Sequence, residues 1–496
     1  MPHTVTRLIV DVAQRNHHVR ILGSGPAVVL LHLSPRSSVQ VLPLAQALAD
    51  RFTVYCPDTP GYGQSDPLRQ KRPEIADFAD ATAALLARLG LQQATLYGTH
   101  TGAEIALSLA RRHPGTCSHV VLDGLPLFTR QEKEEQLRHY LPRFAPEWSG
   151  THMSALWARV RDQLMFYPWY AHGEANRLRF DPPPLEFHMQ VIEDLLAAGV
   201  SDAPNYTTGY SAAFRYDAHD DVRAAAAVNL PVTYLCRADD LLFPHLDRVQ
   251  ALAPAANILR LPPDPAPWHR AIANALHHDT PAPPRPAQSQ RAFFTRDGLF
   301  LRRLGPDRDT GPDRDTGPAR LLLHGHPGSG AMLLHHGERA NGPVWVPDLP
   351  GSGQSAPLPD GPPDTLAPRM AAALAQAIPG SALVETWFTG ARVAAHLPRD
   401  RFTLTTRHDP LPQDPSELAR LRARYIHDVP DDWHGGHMMA AWWRARDGLS
   451  YAPWFSRDAA HQRALPLSPD LDALQAQTTA ILLGRKTEPD ILRALL

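Results

Sequence analysis

A pentapeptide, Gly98-Thr99-His100-Thr101-Gly102, carries the sharpest chemical signal in this chain. It follows the apolar run Ala94 to Tyr97 and precedes a helical pattern from Ala103 to Arg112. A strand that breaks at Gly-x-residue-x-Gly and resumes as a helix is the nucleophile-elbow arrangement, which holds its central residue on a strained turn above a sheet. That residue is usually serine, and here it is His100. An imidazole can abstract a proton, polarise a carbonyl or attack an acyl carbon without a separate base. The positive end of the following helix disfavours imidazolium, so a lowered pKa and a neutral ring are expected. Three readings compete: a remnant in a dead site, a catalyst acting as base or nucleophile, and a metal site built with His152 and an aspartate. The last lacks i, i+4 histidine pairing and any H-E-x-x-H run, so no metal and no other cofactor is expected.

The elements that must position His100 alternate. Strands are predicted at Arg7–Val12, Val19–Leu22, Ala27–Leu31, Thr53–Cys56, Ala94–Tyr97, His119–Asp123, Pro231–Cys236 and Asn257–Leu261. Helical patterns over Val41–Ala49, Ile75–Leu89 and Ala103–Arg112 fall between them, which implies a mostly parallel α/β sheet. From about 124 to 228 the pattern turns helical and aromatic-rich, too long for a connection, and is read as an inserted cap. A Pro-rich stretch, 280–290, reads as a semi-rigid linker between a first domain, 1–279, and a second, 291–496.

Beyond the linker the order repeats. Leu323-His324-Gly325-His326-Pro327-Gly328 matches Leu31 to Arg36, and Pro347 to Ser355 nearly copies Pro57 to Ser65. Trp433 to Met438 matches Trp148 to Met153, and Arg446-Asp447 matches Arg161-Asp162. In this register Phe388 stands opposite His100 and Thr386 opposite Gly98. The second copy has lost its ionisable elbow residue, while the first keeps both glycines and a titratable group, which favours the catalytic reading. A later strand is predicted at Ala480–Leu483, with no equivalent of Asn257–Leu261 after it, so the second copy reads as truncated. The doubled Gly-Pro-Asp-Arg-Asp-Thr at Gly305 and Gly311 reads as a disordered hairpin tip.

A chain of 496 residues exceeds one core. Its 49 Lys and Arg against 51 Asp and Glu leave a net charge of −2, no field to gather nucleic acid or an anionic membrane. Small-molecule substrates fit this balance. Three isolated cysteines read as buried and reduced. With no signal-peptide pattern and no long apolar run, a cytoplasmic location is expected.

These landmarks together resemble the capped branch of the α/β-hydrolase superfamily, in two tandem doubly wound copies. The resemblance rests on the His32 to Pro35 loop, the Asp58 to Asp66 turn, the elbow, and Arg237 to Pro244. It implies that the acid follows the strand Pro231–Cys236, which assigns Asp240, with Asp239 as a close alternative and Asp123 as a second candidate. The base histidine of the family falls after Asn257–Leu261, where the sequence offers only His269, behind a proline run. The resemblance assigns oxyanion amides to Thr101 and Ser34. His32, Arg36 and Ser37 are candidates for contacting a polar substrate group, with helix capping as the alternative. From the cap, Trp148, His152, Arg161 and Tyr167 are candidate substrate walls. The chemistry expected is hydrolysis of a small carbonyl, ester or thioester compound. A lyase, decarboxylase or isomerase, or a non-catalytic binding or scaffold protein, is the alternative. The second copy is expected to pack on the first or to mediate homo-oligomerisation.

Overall fold

The computed structural model describes residues 2–178, 182–202, 204–228, 230–276, 281–305, 317–337, 342–426 and 430–496. Two compact units emerge, Met1–Ala145 with Ala155–Gln288, and Pro146–Ser154 with Ser289–Leu496.

In the first unit, eight strands form one sheet: β1 (Thr6–Val12), β2 (Arg15–Gly23), β3 (Ala27–Leu31), β4 (Thr53–Pro57), β5 (Ala94–Thr99), β6 (Cys117–Asp123), β7 (Val232–Arg237) and β8 (Asn257–Leu261). Their order is β1-β2-β4-β3-β5-β6-β7-β8, antiparallel across β1, β2 and β4 and parallel elsewhere. β3 is a continuous apolar run buried along its whole length, the signature of a strand covered on both faces. The chain winds outward from β3 through β4, then returns to lay β5 on the other side of β3. That reversal opens a crevice beyond the carboxyl ends of these strands. Register levels those ends, pairing Leu31 with Gly98 and Thr99 with Asp123. The helix Thr101–Arg112 is buried through its first ten residues and packs with Ile75–Arg88 on one sheet face. Leu44, Leu48 and Ile272 cover the other.

Between β6 and β7 the described residues form the helices Arg130–His139, Thr151–Gln163, Leu185–Ala198, Thr207–Arg215 and Ala218–Ala227. Within this stretch, Pro146–Ser154 is part of the second unit. There the Trp148 carbonyl accepts from Trp442 Nε1 and from Arg446, whose guanidinium lies 4.4 Å over the Trp148 ring.

The second unit has a six-stranded sheet: β9 (Ala292–Phe294), β10 (Phe300–Leu304), β11 (Arg320–Leu323), β12 (Val344–Pro347), β13 (Ala382–Trp387) and β14 (Phe402–His408). Its order, β14-β13-β11-β12-β10-β9, has the same connectivity as β1 to β6. The predicted strand Ala480–Leu483 is corrected: it lies inside the helix Leu471–Gly484. Buried residues Leu474, Gln475, Thr478, Ile481 and Leu482 recur at helical spacing there, and the four apolar residues were one turn of that stripe. The doubled polar hexapeptide spans 305–316, and all of it after Gly305 lies outside the described residues.

Candidate active site

His100 occupies the turn between β5 and the helix Thr101–Arg112 with φ 48 and ψ −113. A β-carbon bearing residue pays roughly 1–3 kcal/mol for such a backbone. The flanking glycines make the turn possible: a Cβ on Gly98 would lie 2.2 Å from the Gly102 carbonyl oxygen, and one on Gly102 2.3 Å from that of Leu31. The His100 amide donates to the Asp123 carbonyl at 3.0 Å, tying the turn to the end of β6. Gly124 gives the ring room, since a Cβ there would stand 2.9 Å from His100 Cδ2.

Directed this way, the ring meets Asp240. His100 Nε2 lies 2.9 Å from Asp240 Oδ2, while Oδ1 accepts the Leu242 amide at 2.8 Å. The loop after β7 thus fixes both carboxylate oxygens. Asp239 turns elsewhere, its Oδ2 accepting from Arg237 at 2.9 Å. Burial works against imidazolium at His100, but the charge and hydrogen bond of Asp240, with Asp123 beyond, outweigh it and raise its pKa above the usual 6.5. The expected lowering by the helix end is therefore overturned: a carboxylate in contact exceeds a half-charge of helix dipole. Asp240 shifts the other way, held down against burial by His100 and the Leu242 amide.

Asp123 stands behind the pair. Its Oδ2 accepts from Tyr97 Oη at 2.7 Å and from Trp268 Nε1 at 2.8 Å. Burial pushes its pKa up to about 6, helped by the nearby Asp240. His269 is not brought to this cluster; its ring lies tilted against that of Trp268, 4.9 Å between centroids. The tryptophan beside the candidate histidine is the residue that reaches the strand ends, a role no sequence signal announced.

The loop after β3 is built from its own side chains. His32 Nε2 accepts the Thr59 amide and Nδ1 lies 2.9 Å from the Leu33 carbonyl, so both ring nitrogens are engaged in bracing it. Ser37 caps the turn that follows, accepting from the Val39 amide. Arg36 donates from Nε to Asp194 Oδ2 at 2.6 Å and lies over the Phe187 ring. Asp58 anchors the neighbouring turn by accepting the amides of Ser38 and Gln64. Ser34 and Thr101 are buried, and among the described residues neither backbone amide donates to a protein group. Those amides remain available to an oxyanion.

Of the aromatic candidates, Tyr167 accepts from Gln136 Nε2 at 3.0 Å and packs on Tyr140, and Arg161 is half-buried on the helix Thr151–Gln163. Trp148 and His152 belong to the second unit, where His152 Nε2 lies 2.8 Å from Gln475 Oε1 and the ring meets Trp442 edge-on. Among the described residues no group of three His, Cys, Asp or Glu side chains is arranged to hold an ion.

Phe388 in the second unit has φ 44, and its amide donates to the His408 carbonyl at 3.1 Å, the backbone of His100 with an inert side chain. Its ring packs on Tyr425.

A family model described as alpha/beta hydrolase fold matches residues 26–260. This segment is an α/β-hydrolase fold. A fluoroacetate dehalogenase of Burkholderia is 28% identical over 44% of this chain and 73% of its own. A pimeloyl-[acyl-carrier protein] methyl ester esterase of Chromobacterium violaceum is 37% identical over 31% of this chain and 59% of its own. The solved structure of E-2-(acetamidomethylene)succinate hydrolase covers 55% of this chain and 98% of its own at 21% identity, with a TM-score of 0.41. Against mycobacterial relatives the chain spans only 30% of their length. Among the described residues no helix is long and apolar enough to cross a membrane.

Proposed function

We propose that the hydrolase-fold unit hydrolyses a small ester, thioester or other activated acyl compound, with His100 as the base and Asp240 as the group that orients it. The observation that carries this reading is the direct pairing of His100 Nε2 with Asp240 Oδ2 at 2.9 Å. With a proton on Nε2 held by the carboxylate, the neutral ring has its lone pair on Nδ1, which has no hydrogen-bond partner among the described residues. Nδ1 takes a proton from water as the water oxygen attacks the acyl carbon, and the amides of Thr101 and Ser34 receive the oxyanion. The imidazolium then returns that proton to the departing oxygen or sulfur, leaving acid and alcohol or thiol. This is the histidine and aspartate portion of a triad, with water in place of the serine hydroxyl.

The hydrolase names of the relatives favour hydrolysis over lyase, decarboxylase or isomerase chemistry. The second unit we read as a disarmed copy, supported by its matching strand order and by Phe388 on the elbow backbone. His100→Ala tests the reading. Turnover of p-nitrophenyl acetate is expected to fall at least about a thousandfold, with the melting temperature nearly unchanged, and oxygen from labelled water is expected in the acid product of the wild type. Retained turnover in the variant would sink the proposal.

A further inference from the structure

Resting on the proposed acyl hydrolysis, we infer that Arg159 is the recognition fork for a carboxylate, so that the substrate of the first unit is an anionic, carboxylate-bearing acyl compound. Arg159 lies on the helix Thr151–Gln163 and is 1% exposed. Its guanidinium sits 5.7, 5.6 and 5.7 Å from the ring centroids of Tyr140, Trp169 and Tyr206. Nη1 is tied to Gln163, whereas Nε and Nη2 are buried with no partner. These two nitrogens form one edge of the guanidinium. Elsewhere in this protein the same edge grips a carboxylate with both atoms, as Arg112 grips Asp80 and Arg485 grips Asp431. Among the described residues no carboxylate pairs with Arg159. A buried guanidinium left in this state is unfavourable, and ring faces offset the cost only in part. An incoming carboxylate, planar and bidentate, removes that penalty.

The cage adjoins the site. Tyr140 belongs to the cluster of Phe128, Phe214 and Leu242, and the Leu242 amide is the one held by Asp240. Tyr62 Oη donates to the Tyr206 carbonyl, and its ring meets that of His32, on the loop after β3, in a T-shaped contact at 6.1 Å. The rings around Arg159 are therefore linked by contact to both the Asp240 loop and the loop after β3.

The second unit supplies an internal comparison. Arg444 stands in the matching register and lies over Tyr425 and Trp454. There the chain brings its own carboxylate: Glu488, facing the same cavity as Arg444, accepts the Gly328 amide at 3.1 Å in the loop after β11. In the second unit a carboxylate of the chain thus lines the same cavity as the matching arginine, although Arg444 Nη2, like the Arg159 edge, is buried without a hydrogen-bond partner.

The test uses the full chain with butyrate, benzoate and succinate as probes, each against its neutral amide, by calorimetry at neutral pH. At least one acid is expected to bind about tenfold or more tightly than its amide. Arg159→Met should abolish that preference, Arg159→Lys should retain part of it, and His100→Ala should keep it while losing turnover. The inference is overturned if acids and amides bind alike, if none of the acids binds at about 10 mM, or if His100→Ala rather than Arg159→Met removes the preference. Should Arg159→Met fail to fold, the acid-to-amide ratio in the wild type and in Arg159→Lys decides. A carboxylate preference that survives alongside retained turnover in His100→Ala would defeat the proposed catalytic role of His100 and leave this inference standing.

Discussion

Replacing Asp240 by Asn isolates what the carboxylate does for the imidazole. The Asn carbonyl can still accept the Leu242 amide, which Asp240 Oδ1 now holds at 2.8 Å. Its NH2 then faces His100 Nε2, 2.9 Å away in the native pair, and the ring must present a lone pair there. The proton moves to Nδ1, and the base that should face water becomes a donor. Where a histidine tautomer is reversed in this way, turnover falls about 10⁴-fold, equivalent to about 5 kcal/mol in the barrier. Folding should change far less. The two side chains retain 23% and 27% of their exposure, so the lost charge-assisted bond is screened and costs about 1 kcal/mol. A second readout follows from the pKa. Asp240 is the main influence raising His100, so the wild-type acid limb of kcat/KM lies above 6.5, with activity rising as the ring loses its proton. In Asp240→Asn that limb moves to lower pH while its plateau drops. The measurement is kcat/KM for p-nitrophenyl acetate across pH, with nitrogen NMR of the imidazole to read the tautomer. A variant within about tenfold of wild type, or an unmoved acid limb, refutes the argument.

Gly98→Ala should destabilise the first unit by about 3 kcal/mol and remove turnover, because its Cβ would lie 2.2 Å from a backbone oxygen that cannot retreat; thermal unfolding with a parallel activity assay checks both. Glu488 is raised by burial from 4.5 to about 7, so the folded state binds the extra proton and the contribution is lost as pH rises from 4.5 through 7. Glu488→Gln should flatten that slope, worth about 3 kcal/mol over the interval, in urea unfolding of the full chain.

Much of the first sheet is legible because its signals are local. Ala27–Leu31 and Asn257–Leu261 read as strands from their own apolar runs, and the structure bounds them at the same residues. The elbow turn reads from two glycines, and Asp240, the proposed acid, from its place after a strand. What escaped the sequence depends on distant partners. His152, beside an aromatic stretch, reads as a pocket wall until Gln475, more than three hundred positions away, takes its ring nitrogen. His32 reads as a polar contact until the Thr59 amide takes its lone pair. The pKa of His100 has the same cause: the helix expected to lower it adjoins it in sequence, and the carboxylate that raises it lies 140 positions on.

Arg159 shows why such failures have a direction. Near Trp157 and Arg161 on an amphipathic helix, its formula is that of a surface cation, and Lys and Arg are almost never fully buried without a pair. Only the fold reveals that three rings surround it and that one hydrogen-bonding edge is empty. A pattern along the chain records which residues can bury apolar area; it does not record which polar groups remain unsatisfied once they are inside. Functional positions belong disproportionately to the second kind, since a group fully satisfied by its own chain has little left to offer a ligand. By that criterion His32, Ser37 and His152 recede into structure, and His100 Nδ1 and the Arg159 edge come forward together.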